Sequence, residues 1–86
     1  MSPQKPKLTV ERTQTGVRIE KRMLKVLKAL AEYLDMTMGD LLEGIVLHAF
    51  EGKCAFEEET LKTIAELKKI YHMDYGADAS HNMTEN

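Results

Sequence analysis

Residues 13–19 have the sequence Thr-Gln-Thr-Gly-Val-Arg-Ile, in which β-branched residues alternate with residues of other types. The β-branched set is Thr15, Val17 and Ile19, and the intervening set is Gln14, Gly16 and Arg18. This period of two predicts a short β-strand with one apolar and one polar face. Since no other stretch has a convincing strand pattern, the strand must pair with that of a second copy. We therefore expect a homodimer.

Apolar residues at helical spacing predict three helices after this strand, over about Lys21–Leu34, Met38–Glu51 and Glu57–His72. The second helix has clear boundary signals, because Thr37 is a good N-cap and Gly52 suits a C-terminal stop. Asp40, three residues after Thr37, resembles the second member of a capping box. Gly44 costs about 1 kcal/mol relative to Ala within this helix, which close packing against another helix would explain.

The length and composition indicate one small folded domain. A chain of 86 residues, 43% hydrophobic and 30% charged, has an ordinary balance for a folded protein. A lone subunit of this size would be marginally stable, which also favours a core shared between two copies. We predict a flexible basic arm over residues 1–12, the main domain over 13–52, a helical extension over 53–76 and a disordered tail over 77–86.

Charge is divided unevenly along the chain. Residues 1–28 contain eight Lys or Arg and two acids, a net charge of +6, and residues 29–86 contain four Lys and twelve acids, a net charge of −8. Together they give the overall net charge of −2. This segregation indicates a basic working end suited to nucleic acid. The competing interpretation is that these charges only solvate helix faces.

The sequence carries no signal for a membrane, a metal, a cofactor or catalysis. It contains no apolar run near the roughly 20 residues of a membrane helix and no secretion signal, so we expect a cytoplasmic protein. Cys54 is the single cysteine, which excludes an intrachain disulfide. The three histidines and Cys54 lack a recognised ligand spacing, and no nucleophile or phosphate-loop motif is present. We therefore expect neither a metal site nor an enzyme.

Residues 14–52 resemble the ribbon-helix-helix superfamily of the Arc and methionine repressors, particularly its CopG-like members. The resemblance is carried by residues 16–19, which enter the first helix, and by residues 34–42, which cross the capped turn. It implies a mainly α fold with one short strand, built as an intertwined homodimer. Here a further C-terminal helix is added. In this family the paired antiparallel strands enter the major groove of double-stranded DNA.

The resemblance also implies DNA-contacting residues. The base-reading set would be Gln14, Gly16 and Arg18. The phosphate-contacting set would be Thr37, Met38 and Gly39 at the start of the second helix, with Arg12 and Lys21 adding attraction to the backbone. An arginine can form a bidentate pair with guanine, and a glutamine with adenine. The simpler interpretation of Arg18 is an ordinary exposed strand residue.

Three functions follow from these expectations. The first is a sequence-specific transcriptional regulator, a repressor whose ribbon binds an operator. The second is an antitoxin that uses the same ribbon and holds a toxin protein with residues 53–86. The third is a dimeric interaction module that has lost DNA binding.

Overall fold

The computed structural model describes residues 7–85, which form three α-helices of 13 residues and a short 3-10 helix. The α-helices are α1 (Lys21–Tyr33), α2 (Met38–Phe50) and α3 (Glu58–Ile70), and the 3-10 helix covers Ala77–Ala79. Each α-helix lies within two residues of its predicted bounds. The mainly α character and the additional C-terminal helix are therefore confirmed.

The predicted strand over residues 13–19 is not present in the single chain. Residues 7–20 are irregular, residues 7–18 are exposed, and the described range 7–85 contains no strand. Val17, which we assigned to the apolar face, is 74% exposed. A strand requires ladder hydrogen bonds to a neighbour, and the described part of one chain supplies none. Residues 1–6 of the predicted basic arm lie outside the described residues.

Side-chain oxygens cap the first two helices. Thr37 Oγ1 accepts a hydrogen bond from the Asp40 backbone N–H at 3.1 Å, so the predicted cap of α2 is confirmed. At the start of α1, the carboxylate of Glu20 accepts from the backbone N–H groups of Arg22 at 2.9 Å and Met23 at 3.2 Å. These bonds satisfy donors that have no acceptor within the helix. Because Glu20 is the N-cap, α1 begins at Lys21, directly after segment 13–19 and its cap.

All three α-helices end in the same hydrogen-bonded turn. Each is followed by a residue with positive φ: Asp35 (57°), Gly52 (68°) and His72 (58°). After α2, for example, the N–H of Lys53 donates to the carbonyl of His48 at 2.9 Å, and the N–H of Gly52 donates to that of Ala49 at 3.0 Å. This is the Schellman arrangement, which satisfies carbonyls of the last turn. The predicted stop at Gly52 is confirmed.

The core is small and centred on α1. Leu30 and Ala31 of α1 are buried together with Leu41 of α2. Ile64 and Leu67 of α3 pack against this cluster from the other side. Among residues 7–85, Val26 is the only further buried hydrophobic residue. Helix α1 is therefore the element that holds α2 and α3 together.

The segment after α3, residues 71–85, folds back against α1. The disordered tail from residue 77 stays a prediction; within this range the structure has the 3-10 helix at Ala77–Ala79. A cavity of about 550 Å³ lies between this segment, α1 and α3, lined by apolar side chains that include Met23, Leu27 and Met73. The polar composition of residues 77–86 indicated disorder. Met73 and Met83 both line this cavity.

Gly44 inside α2 and Gly52 just after its end should respond oppositely to substitution by alanine. A Cβ at Gly52 or Gly44 meets no atom within 4 Å, so steric overlap does not distinguish them. At Gly52 the positive φ disfavours a Cβ, and we expect Gly52→Ala to lower the free energy of unfolding by about 1–2 kcal/mol. Gly44→Ala, inside the helix, should raise it by about 0.5–1 kcal/mol. Urea unfolding of both variants is the measurement, and equal effects would contradict this account.

Candidate nucleic-acid interface

The outward face of α2 is apolar and uncovered. Residues 42, 43, 46, 47 and 50 recur at intervals of one, three or four and therefore share one side of the helix, which is apolar apart from Glu43. On this side Val46 is 43% exposed, Leu47 64% and Phe50 82%. Only Leu41, on another face of α2, is buried. A contiguous apolar stripe on a surface helix is typical of an interface with another molecule.

A basic stripe lies on α1 immediately after segment 13–19. Lys21, Lys25 and Lys28 are exposed and spaced four and three residues apart, which places them on one face of the helix. None of the three forms an ion pair among residues 7–85. We predicted Lys21 as a phosphate contact from the sequence. The structure places the exposed Lys25 and Lys28 on the same face of α1 as Lys21, as the helical spacing would have indicated.

Arg18, the strongest predicted base-reading residue, is held by the C-terminal segment. Its guanidinium forms a salt bridge with the carboxylate of Glu85, 67 positions along the chain. Both side chains are largely exposed, at 85% for Arg18 and 65% for Glu85. The other two predicted base-reading residues, Gln14 and Gly16, are exposed, and no atom lies within 4 Å of a Cβ built on Gly16.

Arg12, predicted to contact the DNA backbone, is bound to α2. Its Nε and Nη2 donate to the two carboxylate oxygens of Glu43, both at 2.9 Å. This bidentate hydrogen bonding lowers the pKa of Glu43 and raises the pKa of Arg12. Glu43 belongs to the outward face of α2, so the pair ties the segment before residue 13 to the edge of the apolar stripe.

The predicted phosphate anchor lies at the N-terminus of α2. Thr37 and Gly39 are exposed and Met38 is half-buried. The first backbone N–H groups of a helix have no acceptor within it and can therefore bind an anion. The Thr37 hydroxyl, which accepts from Asp40, retains its proton for donation. The carboxylates of Asp40 and Asp35 lie next to this site in the sequence and would oppose a phosphate.

A single chain does not join the base-reading and phosphate-contacting sets. Arg18 and Lys21 border one open depression of about 760 Å³, together with Glu20 and residues 83–85. None of Thr37, Met38 and Gly39 lines it. A complete DNA-binding surface therefore requires either a second copy or a different arrangement of segment 13–19.

A polar cluster that the sequence did not reveal joins α1 to the C-terminal segment. We call Glu20, Arg22, Asp74 and Tyr75 the Glu20 cluster. The Tyr75 hydroxyl donates to Glu20 Oε1 at 2.5 Å, and Arg22 Nη1 donates to Asp74 Oδ1 at 2.9 Å. The guanidinium carbon of Arg22 also lies 5.4 Å from the centre of the Tyr75 ring, within the range of a cation–π contact.

The surroundings of Glu20 and Tyr75 in the Glu20 cluster shift their pKa values in opposite directions. Donation from the Tyr75 hydroxyl, followed by the N–H of Arg22, lowers the pKa of Glu20 to about 2. Desolvation, followed by the hydrogen bond to the Glu20 carboxylate, raises the pKa of Tyr75 to about 12. Glutamate is not among the preferred N-cap residues, so the sequence did not identify Glu20 as the cap of α1. Its partner Tyr75 lies 55 positions away, and only the tertiary fold brings the two together.

Residues 7–85 contain neither a cluster of potential metal ligands nor a helix able to cross a membrane. No group of three or more His, Cys, Asp or Glu side chains in that range is arranged to hold a metal ion. Within the same range no helix has the length and apolar character to cross a bilayer. Cys54 is exposed, and its thiol donates to the carbonyl of Phe56 at 3.4 Å.

Comparison with models of known protein families, with curated proteins and with solved structures gave no match to this chain. The resemblance to the ribbon-helix-helix superfamily is therefore a hypothesis carried by residues 14–52. Any function for the chain has to be inferred from its own side chains and their arrangement.

The Glu20 cluster predicts a pH-dependent contribution to stability. Because the pKa of Glu20 is lowered from 4.5 to about 2, its contribution is present above pH 4.5 and is lost as the pH falls toward 2. Tyr75→Phe removes the largest cause of this shift and should raise the pKa of Glu20, which NMR titration of its carboxyl carbon would measure. Tyr33→Phe, at an exposed tyrosine, is the control. An unchanged pKa in Tyr75→Phe would contradict the assignment.

Proposed function

We propose that this protein is a ribbon-helix-helix homodimer that binds double-stranded DNA and acts as a transcriptional regulator, a repressor. The observation that carries the proposal is the uncovered apolar stripe of α2. Leu47 and Phe50 expose more than half of their surface to water within a single chain. Burying such side chains stabilises a protein by about 1.5–3 kcal/mol each, so a second copy covering this stripe would gain substantially.

The order of elements and the state of segment 13–19 support the same assembly. Segment 13–19 has the alternation of a strand, and one chain offers it no strand partner among residues 7–85. Pairing with its counterpart in a second copy would satisfy its backbone groups and would cover Val17. The helix, Thr37-capped turn and helix that follow have the order expected for this fold.

The distribution of positive charge favours DNA as the ligand. Arg18 precedes the basic stripe of Lys21, Lys25 and Lys28, whose ammonium groups form no ion pairs among residues 7–85. Lysines on one face attract the phosphate backbone irrespective of sequence, whereas an arginine on a paired ribbon can contact bases. Arg18 would thus contact bases and Lys21 would attract the DNA backbone, which are the roles that we expected from the sequence.

The other two functions have different support. In an antitoxin, residues 53–86 would hold a toxin, but Ile64 and Leu67 of α3 pack on the core of their own chain. That packing favours the regulator. The interaction module that has lost DNA binding is favoured by the salt bridges of Arg12 and Arg18, which neutralise two predicted DNA-contacting residues. DNA-binding measurements on the full chain distinguish this module from the regulator.

Self-association should depend on the α2 stripe. We expect Leu47→Asp to weaken dimerisation at least tenfold, because each of the two copies loses about 1.5 kcal/mol or more of apolar burial. The matched control is Leu61→Asp, which changes a 44% exposed leucine of α3. Sedimentation equilibrium over a range of concentrations is the measurement. A wild-type chain that is folded and monomeric at micromolar concentration would overturn the dimer.

Arg18 and Lys21 should affect DNA binding differently. Selection of bound duplexes from random DNA at a stated salt concentration would first identify the preferred sequence. We expect Arg18→Ala to cost about 1–3 kcal/mol on that sequence and to relax preference at one position. Lys21→Ala should weaken binding to all sequences and reduce the salt dependence. Arg18→Ala with wild-type affinity for both selected and scrambled duplexes would exclude the base-reading role.

A further inference from the structure

Two of the three acidic residues in the C-terminal segment contact arginines near the start of α1. Residues 73–85 contain Asp74, Asp78 and Glu85, and no Lys or Arg. Asp74 pairs with Arg22, and Glu85 pairs with Arg18. Arg18 and Arg22 are the only arginines after Arg12. An acidic segment therefore binds both arginines that flank the start of the basic stripe.

The Glu20 cluster anchors one end of this segment. Tyr75 is bonded to Glu20, and Arg22 donates both to Asp74 and, at 3.1 Å, to the backbone carbonyl of His72. Farther along, Met83 lines both the apolar cavity against α1 and the depression that contains Arg18. The segment is thus held at its beginning by hydrogen bonds, whereas Met83 near its end is 52% exposed. Two residues after Met83, Glu85 forms the salt bridge with Arg18.

We propose that the C-terminal segment is autoinhibitory. The Glu85 carboxylate binds the Arg18 guanidinium and thereby competes with DNA for this side chain. This inference rests on the proposed function, since it concerns the same base-reading residue. A carboxylate offers an arginine two acceptor oxygens in one plane, as guanine does through O6 and N7. A guanine bound to Arg18 would therefore compete with Glu85, which contacts the guanidinium through Nη2.

The inhibition should be modest and sensitive to salt. Because the Arg18–Glu85 pair is exposed, its two charges interact through water and are screened by ions. An exposed ion pair of ordinary strength corresponds to a change of about two- to fivefold in affinity. A weak contact of this kind lowers the affinity for DNA without preventing binding.

The test is the affinity of the full chain for a mixed-sequence duplex and for the selected duplex, at about 50 mM salt and again at about 200 mM. We expect Glu85→Gln to bind the DNA two- to fivefold more tightly than wild type at the lower salt concentration, with a smaller gain at the higher one. Glu66→Gln is the matched control, because it removes one exposed carboxylate from α3, away from Arg18. In a chain that already carries Arg18→Ala, adding Glu85→Gln should increase the affinity for DNA no more than Glu66→Gln does.

The possible results separate the two proposals. Equal gains in Glu85→Gln and Glu66→Gln, or no gain in either, would overturn autoinhibition while the DNA-binding function stands. No binding by any variant at about 50 mM salt would overturn the proposed function itself and the inhibition with it. A second readout needs no DNA: Glu85→Gln should shift the NMR resonance of the Arg18 Nε–H group. An unchanged resonance would show that the contact is absent.

Discussion

The burial of Leu30 and Ala31 of α1 against Leu41 of α2 is the contact on which the fold depends. Helix α3 packs against the same cluster, so all three helices meet at α1. Few side chains are buried around this point, and the outward stripe of α2 has nothing to cover it among residues 7–85. A core of this size stabilises a single chain only marginally. The shortage of burial is the physical reason to infer a second copy.

The start of α1 lies between the buried core of the helices and the charged side chains on the surface. Glu20 ends the irregular segment, caps α1 and accepts the hydroxyl of Tyr75. The same turn presents Arg18 and Lys21 to a depression that residues 83–85 of the acidic C-terminal segment also line. Any change in how residues 71–85 pack therefore acts on the residues that we propose bind DNA. The cluster couples the extension to the surface of the main domain.

Much of the local structure followed from short-range signals in the sequence. The bounds of α2 were predictable because Thr37 and Gly52 act on backbone groups within a few residues. The basic stripe of α1 is likewise a consequence of residue spacing. The path of residues 77–85 was not predictable, because no pattern near Met83 or Glu85 identifies α1 as its neighbour. For the same reason the sequence did not indicate that Arg18 would be paired.

The sequence by itself determined three helices, the cap and the stop of α2, the concentration of positive charge in residues 1–28, and an alternating segment at 13–19. These depend on interactions between residues close together in the chain, which periodicity and capping chemistry describe. The tertiary structure alone decided that α3 packs on α1, that Glu20 meets Tyr75 and that Glu85 reaches Arg18. Such contacts join residues tens of positions apart, and they form only where the packing of α1 brings separate apolar and charged faces together.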